Sequence, residues 1–149
     1  ASAPGRSHLL KPYPPKAHMN ANTHSAIQAT FDASQQGTIH FGEVISQLMR
    51  VQVESYHVDY RTGRTTYYLP DGSTLDLAFG RPQEGIADTF NDGEIRAAIL
   101  GAQQGRVMYP EFKRLSQRAG CIGYTVWLAG RHVTYLGRRG ESHIEHFPD

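Results

Sequence analysis

His57 and Asp59 alternate with Tyr56, Val58 and Tyr60, and His143 and Glu145 have the same every-other-residue spacing. On a β-strand that spacing places both members of a pair on one face. An imidazole beside a carboxylate can move a proton as general acid and base, or hold a metal ion through nitrogen and oxygen. With His132 on a neighbouring strand, the candidate catalytic set is His57, Asp59, His132, His143 and Glu145, expected to converge on the open face of a sheet. The competing reading makes them solvated residues of that face. His143 and His146 fall on opposite faces of a strand, and no HExxH occurs. No metal site is therefore expected.

Three further residues are binding candidates. Arg131 offers a guanidinium fork suited to carboxylate or phosphate. Trp127, if exposed, is the kind of aromatic that anchors interfaces. Tyr67 belongs to strands unusually rich in tyrosine, whose default role is core and cross-strand packing. The chain has one cysteine, Cys121, which excludes an intrachain disulfide. It follows a helix end, where the dipole disfavours a thiolate, and is expected as buried packing. The single cysteine fits a reducing, cytoplasmic setting. No Walker or dinucleotide-type glycine loop is present, so no cofactor is expected.

The elements that must position these groups are written twice. Gln35-Gln36-Gly37 recurs as Gln103-Gln104-Gly105, an offset of 68 residues, and Tyr56 and Val58 recur as Tyr124 and Val126. After a slip of one residue, Gly63-Arg64 aligns with Gly130-Arg131 and Tyr68-Leu69 with Tyr135-Leu136. Each copy opens with helical spacing. Ile27, Phe31 and Ser34 follow Thr23 as N-cap; Ile95, Ala98, Ile99 and Ala102 follow Asn91 with Glu94 in a capping box. Gly37 and Gly105 end those helices. Second helices carry Phe41, Val44, Ile45 and Leu48, then Tyr109, Phe112, Leu115 and Ala119, with Pro110 in the first turn.

Period-two alternation then predicts three strands per copy, joined by turns at Gly63, Gly72, Gly130 and Gly140. The expected fold is α+β: an internally duplicated ααβββ unit with pseudo-twofold symmetry. Its antiparallel sheet or sheets carry the helices on the face made by Tyr56, Val58, Tyr124 and Val126. The repeats run over about 23–78 and 91–148, within one domain spanning 23–149. Residues 79–90 read as an exposed linker. Residues 1–22 are proline-rich and aperiodic and read as a disordered leader. His18-Met19 has the look of a cloning junction, so 1–18 are expected to be vector-derived.

The net charge of +1 comes without a stripe of Lys and Arg, which argues against a nucleic-acid partner. No apolar run reaches the ~20 residues that cross a bilayer, so no membrane span is expected. The segments Glu54 to Tyr60, Thr66 to Gly72, Ala119 to Tyr124 and Gly137 to Glu141 resemble a family of small uncharacterised bacterial and prophage proteins. Many of its members are labelled "phage envelope protein". The resemblance implies a bacterial or prophage-derived domain of unknown function and transfers no catalytic residue. The leading expectation is a non-enzymatic protein that binds a protein or small-molecule ligand. The alternatives are a hydrolase-like or metal-assisted enzyme and a phage accessory or structural protein.

Overall fold

A computed structural model describes residues 19–148. Helix α1 (Ala21–Gln36) is capped by Asn20, whose side-chain oxygen accepts from the Thr23 amide at 2.8 Å. The helix thus begins ahead of the expected Thr23 cap, and residues 19–22 belong to the fold, Met19 packing against the core. The remainder of the expected leader, 1–18, lies outside the described residues. Helix α2 (Phe41–Arg50) buries Val44 and Leu48. Strands β1 (Ser55–Asp59), β2 (Arg64–Tyr68) and β3 (Thr74–Ala78) follow. Helix α3 (Asp92–Gln103) starts at Asn91, which accepts from the Glu94 amide at 3.0 Å. Helix α4 (Tyr109–Arg118) has its proline in the first turn, where a missing N–H costs nothing. Strands β4 (Cys121–Trp127), β5 (His132–Gly137) and β6 (Ser142–His146) complete the chain.

The strands form one six-stranded antiparallel sheet in the order β3-β2-β1-β4-β5-β6. The fold is α+β. The four helices among the described residues cover one face, over Tyr56, Val58, Tyr67, Tyr124, Val126, Val133 and Tyr135, all buried. Three strands alone would have exposed that apolar face; joining β1 to β4 lets both halves share one core. Among the described residues no helix is long and apolar enough to cross a membrane.

Equivalent backbone bonds recur at a separation of 68 residues, the separation of His57 and Thr125. The Thr38 amide donates to Ala33 O at 2.9 Å, as does Arg106 to Gly101 O. Phe79 donates to Gly63 O at 2.7 Å, and Phe147 to Arg131 O at 2.9 Å. Across the centre, Tyr60 N bonds Ile122 O at 3.0 Å while Leu128 N bonds Glu54 O at 3.1 Å. His57 and Thr125 face each other between β1 and β4, at the centre of this arrangement.

This geometry corrects the one-residue slip. Tyr67 pairs with Tyr56 as Tyr135 pairs with Tyr124, so Tyr67, not Tyr68, matches Tyr135. Likewise Gly63 (φ 70°) corresponds to Arg131 (φ 59°), not to Gly130. The linker is also less free than its composition implies. Phe79, Ile86 and Phe90 pack on the core. Arg138 donates to Ile86 O at 2.8 Å and to Ala87 O at 3.4 Å, and Arg139 to Asp88 O at 3.4 Å. Those turn arginines therefore fasten the linker.

Candidate functional site

The five predicted catalytic residues do not converge. His57, Asp59 and His132 lie on the open face, whereas His143 and Glu145 lie on the helix-covered face. The register decides this: His143 pairs with Tyr135, Tyr135 with Tyr124 and Tyr124 with Val58, and Glu145 pairs with Val133. Side chains of directly paired residues share a face, so the core face extends outward to β6. On the open side, His57 Nδ1 is 2.8 Å from Thr125 Oγ1, and burial lowers its pKa against the opposing pull of Asp59. The Asp59 carboxylate accepts from the amides of Arg61 (2.9 Å) and Thr62 (3.4 Å), closing its own turn. His132 lies beside Trp127 and His146, its ring tilted to both, with centroids 6.3 and 5.7 Å away.

On the other side, His143 is held between Asp92 Oδ1 and Glu145 Oε1, each at 3.0 Å. Asp92 opens α3, so this histidine clips a helix to the edge strand. Among the described residues no three His, Cys, Asp or Glu side chains are placed to hold a metal ion. Trp127 is 42% exposed and its indole N–H donates to Thr134 Oγ1 at 3.3 Å. Cys121 is buried, donates its S–H to Gly123 O at 3.2 Å, and has its thiol pushed up to about 11 by burial. That is an inert thiol, not a nucleophile.

The feature with the shape of a site lies between sheet and helices: a cavity of about 840 Å³. Its floor is Tyr56, Val58, Tyr67, Tyr124, Val133 and Tyr135; its roof includes Phe31, Val44, Ile99, Tyr109 and Phe112. The rim holds Phe41, Met49, Arg131, His146 and Phe147, with the Phe41 and Phe147 rings edge-on at 6.2 Å. Inside, Tyr56 lies 5.3 Å from Tyr67 and Tyr124 5.4 Å from Tyr135, ring to ring. The Tyr124 hydroxyl donates to Tyr109 Oη at 2.7 Å, and Tyr60 pairs with Ser116 at 2.8 Å beneath.

The hydroxyls of Tyr56, Tyr67 and Tyr135 have no hydrogen-bond partner among the described residues. Yet no buried side-chain polar atom is both sealed off and unpartnered. These three hydroxyls therefore keep accessible surface, and the space beside them is the cavity. Burial raises the pKa of Tyr56, Tyr67, Tyr109, Tyr124 and Tyr135, and at Tyr109 it outweighs the opposing hydrogen bond from Tyr124, so the cavity is lined by neutral phenols. Of the expected binding residues, Tyr67 and Arg131 line the cavity and Trp127 does not. The sequence does carry one signal of this site: a core face that bears hydroxyls where Leu or Ile would pack as well.

Fold and site together define an α+β protein whose helix-covered antiparallel sheet encloses an aromatic, phenol-lined chamber. The chain belongs to the family described as "Protein of unknown function (DUF1398)", whose model matches residues 21–145. That description carries no phage or envelope role. No curated protein matches the chain.

Proposed function

We propose that the protein is a binding protein for a small, largely apolar molecule, taken into the cavity between the helices and the sheet. The observation that carries this reading is the set of three phenols, without a hydrogen-bond partner among the described residues, that line about 840 Å³ of space. Protein interiors are normally filled to crystal-like density, and buried polar groups normally find partners. A volume of this size falls within the range of ligand pockets, roughly 300–1,000 Å³. The chamber has the same chemistry: aromatic walls with a few polar groups that fix orientation. The separation of His57, Asp59 and His132 from His143 and Glu145 takes away the geometric ground for an acid–base enzyme built on that set.

A neutral naphthylamine dye tests this reading. It is expected to bind the folded protein saturably, one to one, and to raise the unfolding temperature. Val44 faces the cavity from α2. Val44→Phe is expected to weaken dye binding at least tenfold while circular dichroism stays native. Undiminished binding to that variant, or no saturable binding at all, would refute the proposal.

We infer as well that the two halves are copies of one ααβββ unit. The matched hydrogen bonds and the shared placement of Tyr56 with Tyr124 and Tyr67 with Tyr135 support this. Neither half would bury its core face alone. Residues 91–148 in isolation are therefore expected to unfold or to self-associate through β4; a stable, folded monomer would count against the inference.

A further inference from the structure

The geometry points to an aromatic carboxylate as the ligand, its ring inside the chamber and its anion on Arg131; this rests on the cavity reading proposed above. Arg131 adopts φ 59°, a left-handed conformation that costs an ordinary residue and costs glycine nothing. The corresponding position in the first half is Gly63, at φ 70°. Among the described residues, only Gln52 and Arg131 hold a positive φ without being glycine. At position 131 the chain thus bears backbone strain and places a guanidinium at the cavity rim.

The Arg131 guanidinium lies at the cavity rim. Among the described residues it forms no ion pair. Its hydrogen bond is a long one, to Pro148 O at 3.5 Å, and it lies over the Phe147 ring at 5.7 Å. The ring steers the fork without using its N–H groups. A planar fork is matched by a carboxylate through two parallel hydrogen bonds. The other charged groups of the lining are Glu43 and Glu145. Glu145 is occupied by His143 at 3.0 Å, and Glu43 sits in the first turn of α2, where the helix dipole favours it. Behind the rim, the paired rings of Tyr56 with Tyr67 and Tyr124 with Tyr135 present flat faces and edges that suit an arene.

Calorimetry on the full chain with three matched probes tests the assignment: naphthalene carboxylate, naphthalene carboxamide and naphthylmethylamine. The carboxylate is expected to bind about tenfold tighter than the carboxamide, the value of one charged hydrogen-bonded contact. That gap is expected to close to about twofold or less in Arg131→Gln and Arg131→Gly. Arg131→Gly is also expected to melt at a higher temperature than the parent, since the strain is gone, which shows that lost preference is not lost folding. Equal binding of carboxylate and carboxamide, or tightest binding of the amine, would overturn the ligand class while leaving the cavity reading intact. If none of the three probes and no neutral dye binds, the cavity reading falls with it.

Discussion

Raising the pH past 10 is expected to unfold the protein in one steep step. Six tyrosines, Tyr56, Tyr60, Tyr67, Tyr109, Tyr124 and Tyr135, have their pKa raised above the ordinary 10.0, each chiefly by burial. In the unfolded chain each ionises near 10; in the fold each stays protonated. The stability they contribute is therefore complete below pH 10 and is lost as pH rises through the folded values. The slope is about 1.4 kcal/mol per pH unit for each group, so about 8 kcal/mol per unit for six.

A domain of this size is stable by about 5–15 kcal/mol, which such a slope consumes within roughly one to two pH units. Cys121, raised to about 11, acts in the same direction. Lys113, whose pKa burial lowers, acts the other way, one group against seven. Tyrosinate absorbance and far-ultraviolet circular dichroism are expected to change together. Gradual ionisation of these phenols with the helices intact would contradict their burial. A bound ligand is expected to move the step to higher pH, since it stabilises only the folded form.

The second large effect is Gly120→Ala. Gly120 has φ 88°, and a Cβ there would lie 2.2 Å from Thr89 O and 2.8 Å from Phe90 Cα. Those atoms are backbone of the 79–90 segment, fixed by Asn91 N to Ala119 O at 2.7 Å and Ala87 N to Gln117 O at 3.0 Å. They cannot swing aside as a side-chain tip would. Strain and displacement together are expected to cost about 3–5 kcal/mol and to lower the melting temperature by roughly 10 °C. Gly140→Ala is the control. Its φ is 83°, but nothing lies within 4 Å of its added Cβ, so only conformational strain of about 1 kcal/mol is expected. Equal losses in the two variants, read by thermal unfolding, would mean that the segment does not dock against the end of α4.

The two variants also show what the sequence hides. Both glycines hold a positive φ, and only the packing of a distant segment distinguishes them. The same holds at Arg131. Aligning Gly130-Arg131 with Gly63-Arg64 matches letters, whereas the hydrogen bonds of Phe79 to Gly63 and Phe147 to Arg131 match places. A strained arginine in a glycine's position is invisible until that correspondence is drawn in space.

The sequence by itself determined the local order: helical spacing from Ile27 and Ile95, caps at Asn91 and Gly37, alternation through Tyr56 and Val58, and hence an α+β chain with antiparallel strands. These features follow from contacts within a few residues, which the chain carries wherever it folds. Only the tertiary structure decided which face His143 and Glu145 occupy, because that depends on pairing carried across β1, β4, β5 and β6. It alone decided that the tyrosines leave space between them, because a cavity is set by how far helices stand from a sheet, a distance fixed by long-range packing and by no single stretch of sequence.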